Sequence, residues 1–234
     1  MYTTSKRISI LISLVLILTS CSKEDPSSPI TFVQPKEGST YTYDKYSTDT
    51  LEALPIASSR DTTVVTFIQV GKSLFGKTNV SMIITEDRNG VDTSYMNYEA
   101  NGDVSLCSDP RSGSIVWATI PVSSRVPQSF SFADTVVDGS DTAYRTVTWA
   151  VTYLATESMM VKGQTLSVVK CRNVATLEVA VVGSSTISST LTSYGYYAPS
   201  LGYIVKTDVP VQYSPFDRTN EPGEVTMLID YELK

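Results

Sequence analysis

Apolar and polar residues alternate along most of the chain from about residue 39, which is the two-residue period of a half-buried β-strand. The alternation is clearest where Tyr41 and Tyr43 stand between Thr40, Thr42 and Asp44. No stretch shows a convincing helical period, so the pattern predicts an all-β protein. Further strands are predicted at about 61–70, 78–86, 92–99, 103–107, 114–123, 143–157, 164–182, 186–197, 201–213 and 224–234.

Turn signals between these strands predict antiparallel hairpins. Asn89-Gly90 and Asn101-Gly102 both tolerate the positive φ of a tight hairpin turn. Residues 124–142 contain Pro127, Gly139 and scattered acidic residues and are predicted to form a loop-rich crossover within a single β domain, 39–234. Long antiparallel strands expose edges, so we expect a strongly curved sheet, either a half-barrel or an open barrel. A β-sandwich of two stacked sheets is the alternative.

The first 20 residues have the features of a helical signal peptide. Lys6 and Arg7 precede an apolar run, Ile8–Leu18, that is too short to span a bilayer. The run ends in Leu-Thr-Ser-Cys, which resembles the lipobox of bacterial lipoproteins. That resemblance implies that Cys21 becomes the first residue of the mature protein and carries acyl chains such as palmitate, which anchor it to a membrane. An ordinary secretory peptide ending near a cysteine is the alternative.

Residues 21–38 are predicted to be a lipidated N-terminus and flexible tether, because they are rich in Ser, Pro, Lys and Glu. The segment Ser22–Pro26 resembles the export signal of surface lipoproteins in Bacteroidota, although any solvated tether also contains such charges. Ser22 would be the second residue of the mature protein, where the inner-membrane retention signal of enterobacterial lipoproteins has an aspartate instead. We therefore expect a lipid-anchored protein of the outer membrane, on either its periplasmic or its surface face.

Composition narrows the function further. The net charge is −6, and it becomes more negative without the leader, so nucleic acid is not expected as a partner. The chain contains no histidine, which excludes histidine-based triads, histidine general bases and imidazole metal sites. No hydrolase or phosphate-loop motif stands out. We predict that the protein is not an enzyme and uses no metal or cofactor.

Two groups of side chains are candidates for a site. Cys107 and Cys171 flank predicted strands in an oxidising compartment, so they form either a disulfide or two separate buried thiols. Four aromatic residues near the C-terminal end provide either a contact surface for a lipid or sugar, or ordinary strand packing. They are Tyr194, Tyr196, Tyr197 and Tyr203.

The segment Tyr196–Lys206 resembles a pattern of the DUF3108 or TapB-like envelope proteins: an aromatic, Ala-Pro, a spacer, then glycine, an apolar pair and lysine. Gly38–Tyr43 resembles the matching first strand. Members of this group are similar to the half-barrels of the lipoprotein carriers LolA and LolB, whose concave face holds apolar matter. The resemblance implies no catalytic residues, and this chain lacks a clear helix to fill a half-barrel.

Together these features favour a non-enzymatic, lipid-anchored protein of the cell envelope. Its expected partners are the membrane, through the lipid on Cys21, and an apolar ligand, a glycan or another envelope protein. The alternative is a structural or adhesive surface module with a β-sandwich fold.

Overall fold

Strands make up nearly all the regular structure that the computed structural model describes, which covers residues 32–108, 116–138, 141–181, 185–215 and 218–234. A short 3₁₀ turn at Ala57–Ser59 is the exception. The prediction of an all-β protein is confirmed. The strands are β1 (Thr40–Thr48), β2 (Asp61–Leu74), β3 (Lys77–Asp87), β4 (Gly90–Tyr98), β5 (Val104–Ser108), β6 (Ala118–Ile120), β7 (Gln128–Asp138), β8 (Asp141–Val161), β9 (Gln164–Val181), β10 (Ile187–Ala198), β11 (Tyr203–Val209), β12 (Gln212–Ser214), β13 (Thr219–Glu221) and β14 (Gly223–Glu232).

Twelve of these strands form one antiparallel sheet, in the order β6-β5-β4-β3-β2-β1-β14-β11-β10-β9-β8-β7. The first and last strands of the domain, β1 and β14, pair in the middle of the sheet. Strands β1 to β6 follow as hairpins on one side, and β7 to β11 form hairpins on the other. Strands β12 and β13 form a separate two-stranded sheet. The β-sandwich alternative is wrong, because the principal strands belong to one continuous sheet.

The two edges of this sheet approach each other. Edge strands β6 and β7 are consecutive in the chain, and β6 lies against β7 and β8 without pairing with them. The sheet is therefore strongly curved and nearly closed, as the half-barrel or open-barrel prediction requires. Curvature of this kind protects edges that would otherwise pair with other chains.

Strand β7 lies where the sequence analysis predicts a loop-rich crossover, residues 124–142, and that prediction is wrong. Gln128–Asp138 pairs with β8 along its length, including Phe130 opposite Trp149. Phe130 and Phe132 are half-buried, whereas Ser129 and Ser131 are exposed, which is an alternating pattern. The nearby Pro127 and the acidic residues obscure this signal in the sequence.

The packed body begins at Phe32, earlier than the sequence boundary at residue 39. The Phe32 ring lies 5.3 Å from that of Tyr98 and 6.2 Å from that of Tyr197, between centroids. The Val33 amide donates to the Pro199 carbonyl at 2.9 Å. Residues 32–35 are therefore held against the turn between β10 and β11 rather than belonging to a tether.

Three tyrosine hydroxyls from β1 and β4 bind backbone carbonyls of that turn and of the start of β11. Tyr41 donates to the carbonyl of Leu201 at 2.6 Å, and Tyr43 donates to that of Ile204 at 2.6 Å. Tyr98 donates to the Gly202 carbonyl at 3.0 Å. Because the turn is bonded to strands that are distant in sequence, the last residues of β10 have a fixed position in the interior.

Candidate functional site

A pocket of about 150 Å³ lies inside the curved sheet, between β5–β6 and β8–β11. Engineered cavities of about this size bind benzene, whereas drug-sized ligands need about 300 Å³ or more. The pocket therefore matches one ring or a short chain. Its walls are largely apolar, and its lining residues are Leu106, Ile120, Trp149, Cys171, Asn173, Ser193, Gly195, Tyr197, Ile204 and Thr207.

Strand β10 supplies one wall, because every second residue of a strand points to the same face. Ser193, Gly195 and Tyr197 all line the pocket. A glycine within a strand weakens it and often marks the close approach of a ligand or of another backbone. At Gly195, φ lies outside the left-handed region, and an added Cβ would meet only the Asn173 side-chain nitrogen, at 3.6 Å. Neither backbone conformation nor packing requires glycine here.

The hydroxyl of Tyr197 is buried and has no hydrogen-bond partner among the described residues. Only 1% of the residue is exposed. Burial, with smaller contributions from Tyr41 and Tyr203, holds the pKa of Tyr197 well above its usual value. The hydroxyl is therefore protonated at neutral pH. Because a buried polar group without a partner is unfavourable, this hydroxyl lowers the stability of the fold.

Cys171 lies directly opposite Gly195 in the pairing of β9 with β10, and it is buried. Burial, and secondarily the charge of Asp103, raises the pKa of the Cys171 thiol to about 12. The Asp103 carboxylate is itself buried and accepts hydrogen bonds from the amides of Ser123 and Ser124, both at 2.9 Å. Cys171 is thus an uncharged thiol at neutral pH, and the Asp103 carboxylate is close enough to contribute to its raised pKa.

Trp149 is the most exposed of the lining residues, at 38%, and contributes an aromatic side chain to the pocket. Its ring stacks on Phe130 of β7, with centroids 5.7 Å apart. Strand β7, which the sequence analysis does not predict, therefore packs against a residue of the site.

The four tyrosines of the sequence analysis do not form one surface. Tyr197 lines the pocket, and Tyr203 packs inside against Tyr41, with ring centroids 5.0 Å apart. Tyr196 has the ammonium groups of Lys170 and Lys206 over its ring, at 5.2 and 5.1 Å. Tyr194 shares Lys170 with it, at 5.8 Å. The four residues are therefore divided between the interior and a lysine-rich patch.

The structure does not join Cys107 to Cys171. Cys107 pairs with Tyr95, while the preceding residue, Leu106, pairs with Met96 and lines the pocket with Cys171. Successive strand residues point to opposite faces, so Cys107 points away from the face that carries Cys171. The geometry thus favours two separate buried thiols over the disulfide.

Cys21 and the predicted signal peptide lie outside the described residues, as does most of the predicted tether. Within the part of the chain that is described, no helix has the length and apolar character needed to cross a membrane. The lipid anchor stays a prediction from the sequence.

Two solved structures resemble this chain. One is a protein of Bacteroides fragilis NCTC 9343 that is described as exported and as having a YmcC-like fold. It is 14% identical in sequence with a TM-score of 0.42, and the match covers 86% of this chain and 99% of that one. The other, from Parabacteroides distasonis ATCC 8503, is described as a lipoprotein, with 13% identity, a TM-score of 0.44 and the same coverage. No protein-family model and no curated protein matches the chain. Likenesses this distant do not assign a function, and the DUF3108 and LolA/LolB resemblance stays a prediction.

Proposed function

We propose that this protein is a non-enzymatic, lipid-anchored component of the bacterial cell envelope, and that its β domain binds a small apolar ligand inside the curved sheet. The observation that carries the proposal is the interior pocket of about 150 Å³, with apolar walls and a strand glycine facing it. A structural module has no need for such a space, because unfilled interior volume costs stability.

The anchor is supported by the sequence. Cys21 follows a short apolar run and small residues, as lipidation requires, and the linker after it is long enough to separate the domain from the bilayer. Since Ser22 does not match the inner-membrane retention signal, we place the protein at the outer membrane.

Two observations support a binding role rather than an enzymatic one. The chain has no histidine to act as a base near neutral pH. The thiol in the pocket, Cys171, has its pKa raised to about 12, so the reactive thiolate is nearly absent at pH 7. The pocket therefore offers shape and apolar contact rather than an activated nucleophile.

Binding of toluene to the full chain in phospholipid nanodiscs tests the proposal. The aqueous concentration of toluene is measured directly, so that its partition into the lipid does not distort the measured affinity. We expect saturable shifts in the protein NMR spectrum, and their loss in Gly195→Val, which fills the pocket from β10. Ser188→Val is the matched control, because Ser188 is an exposed residue of the same strand and does not line the pocket. Absence of saturable binding to the wild-type chain would overturn the proposal.

A further inference from the structure

Strands β7 to β10 continue past the point where β11 ends and form a four-stranded extension of the sheet. Strand β11 pairs with β10 only from Tyr194 onward, so residues 187–193 of β10 pair with β9 alone. The extension comprises residues 129–138, 143–150, 174–181 and 187–192, which pair in the order β7-β8-β9-β10. None of its described side chains is buried. Both faces of the extension are therefore open to solvent in the part of the chain that the structure describes.

The two faces of the extension differ in polarity. The face that continues from the pocket, here called the inner face, carries Trp149 in the same cross-strand row as Leu191. The described residues of the inner face are Phe130, Phe132, Ala143, Arg145, Val147, Trp149, Ala175, Leu177, Val179, Ile187, Ser189 and Leu191. The opposite face carries mainly serine and threonine at the same level, including Ser131, Thr148, Thr176 and Thr190. A sheet with one apolar face normally buries that face against another element.

We propose that a second copy of this chain covers the inner face, so that two extensions stack face to face about a two-fold axis. This inference goes beyond the proposed function and requires no ligand. In a two-fold dimer the same patch serves both copies, so an apolar patch is matched by an apolar patch. Stacked sheets lie about 10 Å apart and interdigitate apolar side chains from their facing surfaces, which is what the inner face offers.

The inner face is large enough for such an interface. Four strands span about 20 Å, and about seven residues along each strand span about 20 Å, which gives a flat area of about 400 Å². Because side chains project from this area, two copies would bury about 1,200 Å² in total, above the level of about 1,000 Å² expected of a specific interface. Its exposed apolar residues include Trp149, Ile187 and Leu191, at 38%, 41% and 48%. A contiguous apolar patch of this kind is typical of an interaction site.

The charge of the inner face argues for a protein surface rather than a bilayer. Arg145 is the one charged residue among the described residues of this face, and the whole chain has a net charge of −6. Surfaces that lie on anionic membranes normally combine apolar side chains with several lysines and arginines. The cores of protein interfaces, in contrast, are depleted of charge, as the inner face is.

Cross-linking in membranes of the native host tests the proposal with the full chain. Leu177→Cys places a thiol on the inner face, and Thr176→Cys is the matched control on the opposite face of the same strand. The wild-type chain is the background control, because Cys107 and Cys171 are buried. A short bismaleimide is used, and we expect Leu177→Cys to give a product of twice the monomer mass. Thr176→Cys should give at most about a tenth as much, because its thiols would lie on the outer sides of the stacked sheets.

A charge on the inner face should abolish the contact. In the Leu177→Cys background, Leu191→Asp should lower the cross-linked fraction about tenfold, because it buries like charges in an apolar interface. Thr190→Asp changes the neighbouring exposed residue, on the opposite face, and should alter that fraction less than about twofold. Both positions are exposed, and circular dichroism spectra equal to that of the parent chain would show that the variants are folded.

The remaining outcomes would overturn the proposal. They are equal cross-linking of Leu177→Cys and Thr176→Cys, no cross-linking of either, a product with the mass of a different protein, and a folded Leu191→Asp chain that cross-links as well as Thr190→Asp. Since the Leu177→Cys and Thr176→Cys comparison needs no charged variant, it decides the matter even if Leu191→Asp does not fold. No ligand takes part in these measurements, so their failure is distinct from a failure of toluene to bind.

Discussion

Removing one hydroxyl from each of two buried tyrosines should change stability in opposite directions. Tyr98 and Tyr197 are 5% and 1% exposed, and both rings contact Phe32. Only the Tyr98 hydroxyl has a partner in the described structure, the Gly202 carbonyl at 3.0 Å. The pair Tyr98→Phe and Tyr197→Phe therefore compares a satisfied hydroxyl with an unsatisfied one in similar surroundings.

The magnitudes follow from the cost of burying unpaired polar groups. Tyr98→Phe leaves the Gly202 carbonyl without this donor, which costs about 1–3 kcal/mol of the free energy of unfolding. Tyr197→Phe removes a buried hydroxyl that has no partner among the described residues, so we expect stability to rise by about 1 kcal/mol. The two variants should thus differ by about 2–4 kcal/mol, well above experimental error.

Urea unfolding followed by circular dichroism measures both effects. The proteins are unfolded and refolded first, which removes any bound small molecule, and equal slopes of free energy against urea would show that only stability has changed. The exposed Tyr213→Phe serves as the control and should stay within about 0.5 kcal/mol of wild type. An equal loss of stability in Tyr98→Phe and Tyr197→Phe would refute the reasoning, because it would show that the Tyr197 hydroxyl has a strong partner within the protein.

Three further outcomes are expected. Gly202→Ala should destabilise the fold by more than about 2 kcal/mol in thermal or urea unfolding, because φ is +67° and an added Cβ would lie 2.0 Å from the Val33 carbonyl oxygen. Gly195→Ala, where neither problem arises, should be neutral or stabilising by up to about 1 kcal/mol. A thiol assay in guanidinium without reductant should find two reactive groups, Cys107 and Cys171, whereas a disulfide would give none. Burial raises the pKa of the interior tyrosines above the ordinary value of 10.0, so their contribution to stability is complete below about pH 10 and is lost as pH rises further. Ultraviolet titration should show that these tyrosines ionise at higher pH in the folded protein than in the unfolded one. Ionisation of every tyrosine near pH 10 would contradict this expectation.

The all-β class and most strands could be predicted because alternation is a local property of the sequence. Tyr41 and Tyr43, for example, face the interior as their spacing predicts. The sequence does not show that their hydroxyls bind carbonyls about 160 residues away. Such partners depend on how the sheet curves, which is a property of the whole chain.

The candidate site was harder to predict for the same reason. Its residues come from six strands, and Gly195 is unremarkable until its neighbours are known. Regular alternation along β10 places Tyr194 and Tyr196 on the face opposite to Gly195 and Tyr197, and Tyr203 of β11 packs inside against Tyr41. Closeness in the sequence therefore does not place the four tyrosines on one surface. Strand β7 was missed because proline and acidic residues surround a short alternating segment.

The claim on which the function depends most is that this domain works from a membrane. Intact-mass analysis of the protein in the membrane fraction of its native host tests it directly, beside Cys21→Ser. The account predicts a chain that begins at residue 21 and carries added acyl mass, and a Cys21→Ser protein without that mass that leaves the membrane fraction. A wild-type chain without acyl groups, or a Cys21→Ser protein that stays equally in the membrane fraction, would contradict it.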